Sequence, residues 1–277
     1  MSLVLQVSDT HFGTEQPPVV EALVALAQQQ RPDLLLLSGD ITQRARPAQF
    51  RAARACMERL GAPWLAVPGN HDIPLLDLWT RLRRPYARYL AAFGPELEPL
   101  HSSPELLVLC LNTTRPWRHK HGEVSAAQIE RVAQRLEAAT AAQLRVVVVH
   151  QPVAVIRSSD VVNLLRGHEA ALQRWAAAGA DLVLGGHIHL PYVRAVPGLA
   201  RPLWAVQAGT AVSARLRRRL FGDVDYEPDL DHDEHARYRA ANDNAERYAS
   251  WLERAFVVPR RIPEMLDELR RFYRLGL

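Results

Sequence analysis

Short apolar runs alternate with helix-like segments over the first two thirds of the chain. The apolar runs have the length of single strands, and the segments between them repeat apolar residues at helical spacing. Four consecutive leucines, Leu34 to Leu37, are typical of a strand that is buried on both faces. This alternation predicts an α/β fold in which helices cover a largely parallel sheet.

The predicted elements follow one another with short connections. The predicted strands are 3–7, 33–38, 63–67, 106–111, 144–149, 181–184, 192–196 and 203–207, and the predicted helices are 17–30, 47–60, 78–93, 125–139 and 164–178. Ser125 and Gln128 are spaced as a capping box, which fixes the start of one helix.

Aspartate, histidine and asparagine residues follow five of the predicted strands at the point where each strand ends. Because the carboxyl ends of parallel strands form the ligand crevice of an α/β sheet, these side chains should meet at one edge. They are Asp9 and His11, then Asp40, then Asn70, His71 and Asp72, then His150, and finally His187 and His189.

Carboxylate, imidazole and amide donors of this kind suit divalent Mn, Fe, Zn or Co. Two such cations about 3.5–4 Å apart repel each other, and a carboxylate between them offsets that repulsion. Asp40 is the candidate bridge. The neighbouring glycines, Gly39, Gly69, Gly185 and Gly186, allow the backbone to turn sharply and approach the metals. The sequence therefore predicts a site for two transition-metal ions.

The five motifs together resemble those of the calcineurin-like metallophosphoesterases. The matching pieces are Asp9-Thr10-His11, Gly39-Asp40, Gly69-Asn70-His71-Asp72, His150 and Gly186-His187-Ile188-His189. The resemblance covers residues 3–210. It implies a four-layer αββα sandwich, so that some of the strands lie in a second sheet.

The resemblance also implies a role for each residue of the motifs. One metal would be held by Asp9, His11, Asp40 and His189, and the other by Asp40, Asn70, His150 and His187. His71, with Asp72 beside it, would be catalytic, stabilising developing charge or protonating the leaving oxygen. The metals would bind phosphate oxygens and activate a water for attack on phosphorus.

Within the family the motifs look most like those of the bacterial class III cyclic-nucleotide phosphodiesterases. The segments that carry this likeness are 8–11, 69–72, 121–123 and 186–189. The leading hypothesis is a dinuclear phosphodiesterase that hydrolyses small phosphodiesters, with cyclic nucleotides as first candidates. A DNA-repair-type nuclease and a non-catalytic interaction scaffold remain as alternatives.

Composition narrows the choice of partner and compartment. The net charge of +4, with a pI near 9.4, suits an anionic substrate but is weak support for nucleic acid. Two cysteines are too few for a disulfide framework. The sequence contains no apolar stretch of membrane-spanning length, and its first residues do not resemble a signal peptide, so we expect a cytoplasmic protein.

The last part of the chain differs from the rest, and we expect residues 1–214 to form the catalytic domain and 215–277 an appendage. The arginines from Arg215 to Arg219 precede an acidic stretch, 223–234, with which they could pair in solvent. A stripe of apolar residues on one face of a predicted helix follows, and it predicts packing on the catalytic domain or on a second subunit of a homodimer. The stripe comprises Ile262, Met265, Leu266, Leu269, Phe272 and Tyr273.

Two further groups near the motifs could reach a substrate phosphate. Arg44 and Arg46 follow Asp40 on its loop, and residues 119–121 contain His119 and His121. Connecting loops are polar in any case, so a solvated loop is the simpler expectation for 119–121.

Overall fold

The structure is a computed structural model, and it describes residues 2–215. The predicted appendage, with its helical stripe and acidic stretch, lies outside the described residues except for Arg215. The boundary between the two predicted domains therefore stays a prediction.

The first sheet has three parallel strands in the order in which they occur in the chain. They are β1 (Val4–Val7), β2 (Leu34–Ser38) and β3 (Trp64–Val67). Two helices, α1 (Pro17–Gln30) and α2 (Pro47–Arg59), connect them. Both helices begin at a proline, whose missing N–H costs nothing in the first turn.

The second sheet has six strands in the order β4-β5-β6-β7-β9-β8. They are β4 (Leu100–Ser102), β5 (Leu106–Cys110), β6 (Leu144–Val148), β7 (Leu182–Gly185), β8 (Tyr192–Ala195) and β9 (Trp204–Gln207). The four inner strands are parallel, and the two edge strands pair antiparallel. Helices α5 (Ala126–Glu137) and α6 (His168–Ala177) belong to this half of the molecule.

Three separate hydrophobic cores show how the layers are stacked. In β2 the side chains of Leu35 and Leu37 join the core under α1 and α2, whereas Leu34 and Leu36 join a core shared with the second sheet. The third core lies between the second sheet and its helices, with fully buried Trp175 of α6 in it. A strand buried on both faces is what the leucine run predicted, and the four-layer αββα sandwich is confirmed.

The predicted helix over 78–93 is wrong as a single element. The structure has two short helices there, α3 (Leu78–Arg83) and α4 (Ala87–Phe93). Pro85 separates them, because proline lacks the N–H of a helix interior and disfavours helical geometry in the residue before it. Arg84 accordingly has φ −146° and ψ 60°.

The edge strand β4 was not predicted. It contains only three residues, and its side chains are half-buried or exposed, so it has no apolar periodicity to detect. The capping box that begins α5 is confirmed, since Ser125 accepts from Gln128 N and the Gln128 side chain accepts from Ser125 N.

Two other features of composition can be checked. Cys56 and Cys110 are buried free thiols. Within residues 2–215, none of the helices combines the length and apolar character needed to cross a bilayer.

Candidate metal centre

The residues predicted as ligands come together at the carboxyl ends of the strands of both sheets. Asp9 follows β1, and Asp40 follows β2. His150 follows β6, and His187 follows β7 in the second sheet. The two sheets thus contribute to one site, and three groups of side chains there have the spacing of metal ligands.

The first group contains Asp9, His11 and His189. The Nε2 atoms of His11 and His189 lie 3.0 Å apart, and His189 Nε2 lies 3.4 Å from Asp9 Oδ1. A cation bound between the two rings would account for this close approach, because each ring could then direct a nitrogen lone pair at it. His11 and Asp9 are fully buried, which keeps competing water away.

The second group contains Asp40, His150 and His187. His150 Nε2 lies 3.2 Å from Asp40 Oδ1. The side-chain oxygen of Asn70 and the Nδ1 atom of His187 are buried and have no hydrogen-bond partner among residues 2–215. Buried polar atoms are nearly always satisfied, so these orphaned atoms fit ligands of a second cation.

Asp40 lies between the two groups. Its Oδ2 atom is 3.9 Å from His11 Nε2, while its Oδ1 atom is 3.2 Å from His150 Nε2. Burial alone would raise the pKa of Asp40, but the neighbouring His150 and His71 hold it well below its usual value. An ionised carboxylate with one oxygen toward each group is suited to bridge two cations.

Backbone carbonyls orient two of the histidines. The Nδ1 atom of His150 lies 2.9 Å from the carbonyl oxygen of Ser38, and that of His189 lies 2.7 Å from the carbonyl oxygen of Arg215. A hydrogen on Nδ1 leaves Nε2 with its lone pair free. Metal-binding histidines are generally held in this way.

Burial also favours neutral rings at two other positions. It lowers the pKa of His11 to about 3 and the pKa of His187 to about 3. For His150 burial acts in the same direction, but Asp40 outweighs it and raises the pKa to about 9. Neutral imidazole is the form that binds metals.

Five of the seven predicted ligands have left-handed backbone conformations. Such values of φ are uncommon for residues other than glycine, and aspartate and histidine tolerate them better than most. The residues are Asp9 (φ 50°), His11 (42°), Asp40 (47°), His187 (75°) and His189 (55°). Strained residues concentrated in one place are typical of functional sites.

Glycines are required where the backbone passes closest to the ligands. A Cβ atom on Gly69 would lie 2.0 Å from Asp40 N, and one on Gly39, whose φ is +92°, would lie 2.3 Å from His150 Nδ1. No side chain fits at either position. The predicted role of these two glycines therefore has a steric basis.

Asp72 faces away from the two groups. Its Oδ1 atom accepts from the N–H and hydroxyl of Thr42, and its Oδ2 atom accepts from the N–H groups of Ile41 and Gly69. Burial and the charge of Asp40 raise the pKa of Asp72 to about 7, against these four donors, which favour the carboxylate. A catalytic role for Asp72 stays a prediction, and its contacts favour positioning of the loops that follow β2 and β3.

We expect Asp72→Ala to destabilise the protein by roughly 3–5 kcal/mol, because it leaves four donors without their buried acceptor. Urea unfolding of the metal-free protein measures this. The matched control is Glu169→Ala, which removes an exposed carboxylate. Unchanged stability of Asp72→Ala, with a large loss of turnover, would instead support direct catalysis.

His71 lies at the mouth of the site. Its Nδ1 atom is 3.0 Å from the carbonyl oxygen of Gln43, and its ring packs edge-on against that of His11, with centroids 4.8 Å apart. His71 also forms the third possible ligand group, with His11 and Asp40. The position of His71 therefore allows it to be either a catalytic side chain that binds no metal or a metal ligand.

An open cleft leads to His71. Arg44 and His119 line it together with Gln43 and Asn70. His119 thus lies on the cleft wall, where a purely solvated loop was the simpler expectation. The interactions of Gln43 and Arg215 with His71 were not predicted, since neither residue belongs to a motif.

Comparison with known proteins now decides the family. The family profile described as "Calcineurin-like phosphoesterase" matches residues 2–191. The chain belongs to the calcineurin-like phosphoesterase family. This calcineurin-like phosphoesterase is accordingly a hydrolase of phosphate esters, as its motifs predicted.

Two curated relatives of this calcineurin-like phosphoesterase share more than two thirds of its length. A probable cyclic nucleotide phosphodiesterase of Synechococcus is 28% identical over 203 residues, covering 69% of this chain and 74% of the relative. A cAMP/cGMP dual specificity phosphodiesterase of Mycobacterium tuberculosis is 29% identical over 207 residues, covering 68% of this chain but only 61% of the relative. The resemblance to bacterial cyclic-nucleotide phosphodiesterases is confirmed.

Solved structures confirm the fold of the calcineurin-like phosphoesterase. A dimetal phosphatase from Danio rerio has a TM-score of 0.58 at 14% identity, covering 76% of this chain and 88% of that one. A purple acid phosphatase from yellow lupin has a TM-score of 0.60 at 14% identity, covering 82% of this chain and 46% of that one.

Proposed function

We propose that this protein hydrolyses small phosphodiesters, with cyclic nucleotides as the first candidates. The position of Asp40, whose two oxygens face two separate groups of buried ligands, carries the proposal. The relatives named as cyclic nucleotide phosphodiesterases support the choice of substrate.

Two divalent transition-metal ions complete the site in this proposal. Asp9, His11, Asp40 and His189 would hold one, and Asp40, Asn70, His150 and His187 would hold the other. Bound metals neutralise charge on phosphate oxygens and lower the pKa of a water to supply a nucleophile at neutral pH. Mn, Fe, Zn and Co all suit these oxygen and nitrogen donors.

The residues of the chain supply orientation and proton transfer. The carbonyls of Ser38 and Arg215 hold the rings of His150 and His189 in place. His71, at the cleft mouth, can donate a proton to the departing oxygen or stabilise charge on the phosphate. The carbonyl of Gln43 fixes the orientation of the His71 ring.

A hydrolysis screen with the manganese-loaded protein tests the proposal. The substrates are cyclic AMP, cyclic GMP, bis(4-nitrophenyl) phosphate, 4-nitrophenyl phosphate, a nucleotide sugar and supercoiled plasmid. We expect both cyclic nucleotides and the diester to be cleaved faster than the monoester, and chelator-treated protein to be inactive. Preference for the monoester would overturn the proposal, and plasmid nicking as the dominant activity would identify a nuclease.

A further inference from the structure

The segment that follows β9 is tied to the first metal-ligand loop. Ala211 N donates to the carbonyl of Ser8 at 2.9 Å, and Ala214 N donates to the carbonyl of Thr14 at 3.0 Å. Arg215 is the next residue along this segment. These two hydrogen bonds therefore fix the position of Arg215 relative to the catalytic domain. The sequence had suggested that an appendage begins at this residue.

Arg215 contacts the site through both its backbone and its side chain. Its carbonyl accepts from Nδ1 of His189 at 2.7 Å. Its guanidinium Nη1 atom lies 3.2 Å from Oε1 of Gln43 and 3.5 Å from Nε2 of His71. The guanidinium thus lies beside the Nε2 atom of His71.

The charge of this guanidinium is not balanced by a carboxylate of the described part of the chain. Half-buried Arg174, by comparison, pairs with Glu130 and Glu137. Arg215 instead faces His71, and a contact of 3.5 Å between two nitrogens is weak. An anionic oxygen at about 2.8 Å would be a much better partner for the same N–H group.

We propose that Arg215 is a substrate-binding residue that donates hydrogen bonds to a non-bridging phosphate oxygen beside His71. The inference deepens the proposed function and rests on it. A guanidinium suits this task because its planar fork of donors matches the geometry of phosphate and keeps its charge at all relevant pH values. The hydrogen bond from His189 Nδ1 to the Arg215 carbonyl holds the guanidinium next to the ligands, so that phosphate binding is coupled to the position of the metal site.

Binding of inorganic phosphate to the manganese-loaded, full-length protein tests the proposal without requiring turnover. In calorimetric titration, Arg215→Ala should raise the Kd for phosphate roughly 10- to 100-fold, the loss expected for a hydrogen bond between charged groups. Arg215→Lys should recover part of the affinity, because it restores charge but not the planar fork. Manganese content should stay the same in both variants, because the substitutions keep the backbone carbonyl.

The matched control is Arg135→Ala. Arg135 is exposed in the last turn of α5, which leads to the amino end of β6, whereas the site lies at the carboxyl ends of the strands. Its loss changes the net charge by the same amount. Its phosphate affinity should equal that of the unmodified protein. A similar loss in Arg135→Ala would mean that general charge, and not the placement of Arg215, attracts phosphate, and would overturn the inference.

Two other results would also overturn it. Unchanged phosphate affinity in Arg215→Ala would mean that the guanidinium serves another partner, such as the acidic stretch 223–234. Loss of manganese would make Arg215 a support for His189 only. The substrate screen keeps the two proposals apart: failure to cleave any diester, with phosphate binding that still depends on Arg215, refutes only the proposed function.

Discussion

Asp40→Asn is expected to lose at least one of two bound metal ions and nearly all activity while remaining folded. The substitution keeps the shape of the side chain, and the remaining oxygen can still accept the hydrogen bond from His71 N, which is 2.8 Å long with aspartate. It removes the negative charge between the two ligand groups. Without that charge, two cations about 3.5–4 Å apart repel each other without compensation.

The expected loss of turnover follows from how much one metal stabilises the transition state. Charge stabilisation by a metal is worth several kcal/mol in the transition state, so its loss should reduce turnover by roughly 10³-fold or more. Metal analysis and hydrolysis of bis(4-nitrophenyl) phosphate measure both quantities on the same sample. Circular dichroism shows whether the variant is folded.

The matched control for this variant is Glu137→Gln. It makes the same change from acid to amide in a surface ion pair with Arg174, and such a pair contributes little to the stability of the fold. Metal content and turnover should be normal in the control. If Asp40→Asn retains two tightly bound metals and normal turnover, Asp40 is not the bridge.

His71→Ala is expected to keep both metals and to lose activity in a way that depends on the leaving group. If His71 is a general acid, its loss costs roughly 10²–10⁴-fold with cyclic AMP, whose ribose alkoxide needs a proton to depart. A nitrophenolate departs without a proton. The loss with bis(4-nitrophenyl) phosphate should therefore be clearly smaller.

Rates with both substrates, together with metal content, decide the role of His71. His101→Ala, on the edge strand β4, is a control that should leave all three quantities unchanged. Equal losses on the two substrates would indicate phosphate binding or charge stabilisation. Loss of a metal would make His71 a ligand, which its closeness to His11 and Asp40 allows.

Much of the site could be predicted because its residues follow strands directly. A strand end fixes the position of the next one or two residues, so the sheet itself brings together Asp9, Asp40, His150 and His187. The same logic explains the confirmed α/β fold. The leucine run of β2 even showed that one sheet would be covered on both faces.

Contacts between distant segments could not be predicted in this way. Asp72 is an example, because Thr42 and Gly69, from two different loops, donate to its carboxylate. The sequence shows only that Asp72 stands next to His71, whereas the structure shows that it binds the backbone of these loops. The break near Pro85, by contrast, has a local cause that is visible in the sequence, because proline disfavours a helix interior; the helical apolar pattern outweighed it in the prediction.

Residue type and strand-end spacing were enough to predict a set of metal ligands, because carboxylate, imidazole and amide groups carry their donor chemistry wherever the chain places them. How those residues are supported depends instead on the folded path of the chain. The carbonyl of Arg215 reaches His189, and its guanidinium reaches His71, from a segment 144 residues away along the chain from His71. The physical reason is that hydrogen bonds to backbone carbonyls and guanidinium contacts depend on where the chain passes in space, and no spacing in the sequence encodes that path.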